Sequence, residues 1–169
     1  PPEQLLKNKL IADLQRLFEL YGFMPLETPI IERYETLAAK GGAEEDSDCL
    51  KETFKFQDQG KRNLGLRFEL TTSLARYIAL NPNVKLPFKR YEMGKVFRDG
   101  PIKLGRYREF WQCDIDIIGS SNMLSDTELV IITNSFFENQ GLDIIFKINN
   151  RKLLDGILEQ VGITKTKEA

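Results

Sequence analysis

The chain has 169 residues, 41% hydrophobic and 29% charged, with a formal net charge of −1. That is enough for one domain with a real core and ordinary for a soluble globular protein. The near-neutral balance argues against a generic nucleic-acid binder, and the complete lack of histidine excludes His-based triads, His proton shuttles and His-ligated metals. No uninterrupted apolar run approaches membrane-spanning length, and no charged-then-apolar leader is visible at the N-terminus. Two cysteines, Cys49 and Cys113, make no disulfide framework. No membrane partner is therefore expected, and cytoplasmic is the expected localisation. Chemistry has to come from carboxylates, arginines and the backbone.

Residues 3–21 read as a helix. Leu6, Leu10, Leu14, Leu17 and Tyr21 make an apolar stripe, widened by Leu5, Ile11, Phe18 and Leu20, with Pro1 and Pro2 at its start and Gly22 at its end. Phe23 to Glu32 reads as extended, an edge or interface strand, because Pro25 and Pro29 remove two ladder donors. Tyr34 to Lys40 is a short helix stopped by Gly41-Gly42, and the acidic run Glu44, Glu45, Asp46, Asp48 is an exposed loop. Thr53–Gln57 and Leu64–Glu69 are the strands of a hairpin across the turn DQGKRN. Thr71–Leu80 is a helix opening on the capping residues Thr71, Thr72 and Ser73 and ending before Asn81-Pro82.

Two long strands follow, Phe88–Arg98 and Arg108–Gly119. Then come a helix over Ser125–Gln140 capped by Ser125 with Glu128 behind it, a strand over Leu142–Asn149, a helix over Arg151–Val161 and a frayed tail, TKTKEA. Helices interleave with strands, yet the strongest pairings are hairpins. The fold class is α+β: a mostly antiparallel sheet flanked by helices, in a single domain over residues 1–169.

Charge is unevenly placed. Between Lys85 and Arg108 lie eight basic residues (Lys85, Lys89, Arg90, Lys95, Arg98, Lys103, Arg106 and Arg108) against Glu92 and Asp99, so this segment carries +6 and the remainder −7. Lys85, Lys89, Arg90 and Lys95 read as solvated strand edges. Lys103, Arg106 and Arg108 surround the tight-turning Gly100, Pro101 and Gly105. An arginine at a strand end offers a planar fork for phosphate. No G-x-x-x-x-G-K-[ST] or G-x-G-x-x-G loop exists, so a nucleotide would be held by the sheet and this loop.

Strand alternation then decides what can meet. Arg67, Glu69 and Thr71 point one way; Phe110, Gln112, Asp114, Asp116 and Ile118 share one face of the later strand; Arg98 is in phase with Gly94 and Val96. Trp111, Cys113, Ile115 and Ile117 form the opposite face and read as core. Asp114 is either plain polar surface or positions Arg98 or Arg108. Glu69, Gln112 and Asp116 suit an open face that meets an ammonium and a polar side chain, although ordinary polar-out alternation gives the same pattern.

LGLRFELTTSLAR (64–76), KVFRDG (95–100) and GRYREFWQCDIDIIG (105–119) together resemble the histidyl-tRNA synthetases, in the archaeal and eukaryotic style of that motif more than the common bacterial one. The first helix with GFMPLETPIIE resembles the first motif of class II synthetases, which builds their dimer interface, and FKINNRKLLDGILEQVGI (146–163) extends the resemblance over nearly the whole chain. The resemblance implies a partial class II catalytic core. It implies Arg98 as the catalytic motif-two arginine on the α-phosphate of ATP and Phe110 as the ring beneath adenine. Arg106 and Tyr107 would belong to the loop that closes over ATP and meets the tRNA end. Glu69, Thr71 and Gln112 would hold the α-ammonium of histidine, and Asp116 would read its imidazole.

The implied reaction is histidine activation with ATP and Mg²⁺ followed by transfer to tRNA(His), by a homodimer joined through the first helix and the 23–32 strand. No residue is assigned as a metal ligand. Gly100 stands where the family commonly has an acid. No RGLDYY-type motif, no glycine-rich third motif and no anticodon-binding domain is found, so the chain reads as the N-terminal portion of a longer ligase, weakly active or inactive alone. The competing expectation is a non-catalytic paralogue acting as regulatory subunit of ATP phosphoribosyltransferase, which should lose the arginine-rich loop that this chain keeps.

Overall fold

The computed structural model describes residues 1–39 and 48–162. The Gly41-Gly42 stop, the acidic stretch Glu44 to Asp46 and the TKTKEA tail lie outside the described residues. Two compact units are formed, residues 1–136 and 137–169.

In the first unit, helix α1 (Pro2–Leu20) starts on a proline, whose missing N–H costs nothing there. It ends where Gly22 adopts φ 77°, with Phe23 N–H donating to the Phe18 carbonyl at 3.0 Å and Gly22 N–H to Glu19 at 3.0 Å, a glycine-terminated cap. Strand β1 (Met24–Pro25) pairs in parallel with β5 (Phe88–Phe97), which pairs antiparallel with β6 (Glu109–Ile118). Strand β2 (Ile31–Arg33) joins a second sheet with β4 (Asn63–Leu66) and β3 (Lys55–Gln57), both antiparallel to β4. Helices α2 (Tyr34–Ala38), α3 (Asp48–Lys51), α4 (Thr71–Leu80) and α5 (Met123–Asn139) connect or flank the strands.

Four expectations change. The 23–32 stretch is not one strand but two, in different sheets. Its prolines break the ladder, and Thr28 between them turns inward to a buried carboxylate. Helix α5 begins two residues early, because the Asn122 side chain accepts the Leu124 N–H at 3.0 Å while the Ser125 hydroxyl donates to Ser120. Residues 142–149, in the second unit, form no strand. An extended run needs a ladder partner, and Leu142, Ile145 and Ile148 remain exposed. The second unit's regular element is α6 (Arg151–Gln160), whose Asn150 cap accepts the Lys152 N–H at 2.9 Å.

The fourth change concerns Trp111 and Cys113, which are exposed. One face of β5–β6 packs Tyr91, Met93, Ile115 and Ile117 against Leu17, Phe18 and Phe23 and against Ile132 of α5. Phe18 and Tyr91 lie ring to ring at 5.5 Å. That cover thins toward the start of β6, where the Lys7 ammonium of α1 lies over the Trp111 ring at 4.2 Å. The core makes one ionic excursion: Tyr91 donates to Glu19 at 2.8 Å, and burial, then that carboxylate, pushes the hydroxyl up to about 12.

Candidate active site on the polar face of the β5–β6 ribbon

Register sets the candidate site. Arg90 faces Asp116, Glu92 faces Asp114, Gly94 faces Gln112 and Val96 faces Phe110 across the two strands, so these alternate residues share the face turned away from the core. The face is not a solvated edge. Arg90 is 0% and Glu92 2% exposed. Arg90 belongs to the segment expected at solvated edges and is instead the most deeply buried cation. Lys89 is likewise tied down, donating to the Tyr21 carbonyl at 2.6 Å and to Glu128 at 2.7 Å, while Lys95 pairs with Glu109 in the open.

A charge network floors the site. Glu92 Oε1 accepts the Thr28 N–H at 2.9 Å, the Thr28 hydroxyl at 2.7 Å and Arg67 Nη1 at 3.0 Å. Arg67 also donates to the Lys95 carbonyl at 2.8 Å and the Thr28 carbonyl at 2.8 Å. Its guanidinium crosses β5 at Gly94, where an added Cβ would lie 2.1 Å from Arg67 Nη2. Arg90 contacts Glu92 Oε2 at 3.3 Å and forms an ion pair with Asp116 Oδ2 at 2.9 Å. That pair lacks hydrogen-bond geometry: Asp116 Oδ2, Arg90 Nε and Gln112 Oε1 are buried without a hydrogen-bond partner among the described residues. The orphaned Gln112 Oε1 fits a face that receives a polar ligand, while Asp116 Oδ2 is already committed to Arg90.

The expected site residues distribute as follows. The Arg98 guanidinium lies 4.4 Å from the Phe68 ring and 4.9 Å from the Phe110 ring, with Nε 3.4 Å from the Phe68 carbonyl. Its flat faces are thereby held by aromatic rings while the fork stays available. Gln112 donates to Asp114 at 2.9 and 3.1 Å, so Asp114 orients Gln112 and neither Arg98 nor Arg108. Arg108 instead reaches the Gly100 carbonyl at 3.2 Å and Asp99 at 3.6 Å.

Glu69 closes the start of α4, accepting the Thr71 N–H at 2.6 Å, the Thr72 N–H at 2.9 Å and the Thr72 hydroxyl. Burial pushes its carboxyl up, but the Thr72 hydroxyl and the two amides outweigh it and hold the group below its ordinary value. Thr71 is exposed and lines a cavity of about 540 Å³ with Thr36, Ala39, Ala75 and Arg76. Arg106 and Tyr107 sit on the exposed loop; Arg106 pairs with Glu52 at 2.5 Å, and Glu52 fills the space where a Cβ at Gly100 would be 2.8 Å from its Oε1.

The model of the family described as "Histidyl-tRNA synthetase" matches residues 1–169. The chain belongs to this family. It is 51% identical over 164 residues to histidine–tRNA ligase 1 of Bacillus cereus, covering 96% of this chain and 37% of that protein. It is 40% identical over 171 residues to the histidine–tRNA ligase of Helicobacter pylori, covering 38% of it. Among solved structures, histidyl-tRNA synthetase from Nostoc superposes with a TM-score of 0.82 at 36% identity over 97% of this chain and 38% of the other. A protein from Bacillus halodurans described as an ATP phosphoribosyltransferase regulatory subunit/histidyl-tRNA synthetase gives 0.70 at 26% identity over 85% of this chain and 36% of the other. The chain thus spans somewhat over a third of the length of the relatives it matches.

This histidyl-tRNA synthetase-family fold explains why the expected α+β class holds, with class II synthetases as its structural neighbours. Sequence reasoning missed Arg90, Glu92 and Thr28 as parts of the site. The signal was present in the alternation: Arg90 and Glu92 are in phase with Gly94 and Arg98, and a glycine in the middle of a long strand marks a close approach by another group.

Proposed function

We propose that this chain is the part of a histidine–tRNA ligase that binds histidine and orients ATP for adenylate formation. In this reading Arg98 grips the α-phosphate and Phe110 lies beneath the adenine. The carboxylates and Gln112 take up histidine: Glu69, Thr71 and Gln112 on the ammonium side, Asp116 on the imidazole. The histidine carboxylate attacks the α-phosphorus, the bond to the bridging oxygen breaks, and pyrophosphate leaves. Arg98 offsets charge that builds on the phosphoryl oxygens. The terminal adenosine of tRNA(His) then takes the acyl group and AMP leaves. Arg106 and Tyr107, on the loop, are placed for ATP and the tRNA end.

The observation that carries this reading is the pairing of an arginine fork held by Phe68 and Phe110 with the unsatisfied Gln112 Oε1 and the part-exposed Asp116 carboxylate on one face. Mg²⁺ would arrive on the nucleotide's phosphates, keeping much of its water. Homodimerisation through α1 and residues 23–32 is supported by the exposed Leu5, Leu6, Met24, Ile30 and Ile31. No helix among the described residues is long and apolar enough to cross a membrane.

Histidine-dependent ATP–pyrophosphate exchange tests the proposal, in this chain and in the protein extended to the length of its relatives, each with Arg98→Ala. Exchange is expected in the extended protein, to fall by 10²-fold or more in Arg98→Ala, on the order of losing one transition-state donor. Histidine binding without any exchange in the extended protein would favour the regulatory-subunit reading instead.

A further inference from the structure

Arg90 is the least expected group in the molecule. Its guanidinium cannot shed its charge, yet it is wholly buried near the start of β5. Such burial is tolerated only where carboxylates surround the cation. Glu92 meets part of that need at 3.3 Å and the Leu70 carbonyl part at 3.4 Å. Glu92 is also committed to Arg67 and Thr28, so the remaining demand falls on Asp116. The quartet Arg67, Glu92, Arg90 and Asp116 balances two cations with two carboxylates. Asp116 is its outward member, with 28% of its side chain exposed against 4%, 2% and 0% for Arg67, Glu92 and Arg90.

We propose that Arg90 is a positioning residue for histidine recognition: it engages Asp116 Oδ2 from below and presents the rest of that carboxylate, ionised and fixed in direction, to an imidazole N–H. This rests on the reading of Asp116 as the imidazole contact. The charged groups facing Asp116 are Arg90 and Glu92 from β5, Asp114 on its own strand and Glu69 ahead of α4. Burial raises the Asp116 carboxyl above its ordinary value, Arg90 opposes the rise, and Asp114, Glu69 and Glu92 reinforce it. Arg90 is thus the one cation of that set, and without it no group of the set opposes the rise. A protonated Asp116 can offer a donor where the imidazole N–H requires an acceptor.

The test has two readouts. The carboxyl carbon of Asp116 is titrated by NMR in this chain as wild type, Arg90→Gln and Arg90→Lys. KM and kcat for histidine are measured by pyrophosphate exchange in the extended protein with the same substitutions. Arg90→Gln is expected to move the Asp116 titration to higher pH and to raise KM for histidine on the order of tenfold, the effect of weakening one charge-assisted hydrogen bond. The rise should be greatest at acid pH, with kcat changing less. Arg90→Lys, which keeps the charge but loses the fork, should fall between. An Asp116 titration unmoved in both variants overturns the proposal; should Arg90→Gln not fold, the lysine variant decides by the same criterion. A titration that moves while KM for histidine stays constant overturns Asp116 as the imidazole contact and, with it, the recognition role of Arg90.

Discussion

The two faces of the β5–β6 ribbon arise from one alternation and hold opposite contents. Odd-numbered Tyr91, Met93, Ile115 and Ile117 close over Phe18 and Ile132; even-numbered Arg90, Glu92, Gln112 and Asp116 carry charge and amide groups, two of them as buried as any core residue. The apolar face is stabilised by surface removed from water, roughly 1.5–3 kcal/mol for each large side chain fully buried. The polar face gains little net stability, because desolvating its ions offsets most of their attraction. A synthetase-family chain thus keeps a rigid support on one side of a strand pair and a poised, costly surface on the other, where atoms such as Gln112 Oε1 wait for a partner.

Breaking the comparison from the polar side should have the largest effect. Glu92→Gln leaves Arg67 and Arg90 buried with one compensating carboxylate fewer, and a loss of about 3–5 kcal/mol is expected in urea unfolding; a loss below about 1 kcal/mol would mean that water reaches the pair. From the apolar side, Ile132→Ala removes a 1%-exposed side chain and should cost about 2–5 kcal/mol, equally at every pH, since no titrating group is touched. A calorimetric series over pH checks that flatness.

The smallest effect sharpens the contrast. Glu69→Gln weakens the closure of α4 by about 1 kcal/mol at neutral pH. Because the Glu69 carboxyl is held below its ordinary value when folded, its stabilisation is present above that ordinary value and lost as pH falls through the folded one. Wild type and Glu69→Gln should therefore converge in thermal midpoint in acid, and parallel curves would show that the bonds to Thr71 and Thr72 do not depend on charge.

Much of the frame was legible because local rules set it. α4 matches its expected bounds of Thr71–Leu80, and β5 and β6 lie within one or two residues of expectation. Non-local facts were not legible. Leu142–Asn149 has the composition of a strand without a ladder partner among the described residues, and Trp111 and Cys113 have core periodicity but stay exposed. Arg90 looked like surface because charge usually is, and Glu92 carried no reading of its own. Their burial depends on Arg67 arriving from 25 residues upstream of Glu92, which no periodicity records.

Gly94 draws these threads to a single position. The Arg67 guanidinium occupies the volume a side chain would need there and is pinned by Lys95, Thr28 and Glu92, so it has nowhere to retreat. Tolerance to mutation should therefore collapse at one residue in an otherwise forgiving strand: in a library randomised at position 94 and selected for folding, glycine should be the sole survivor, unless Arg67 is randomised with it.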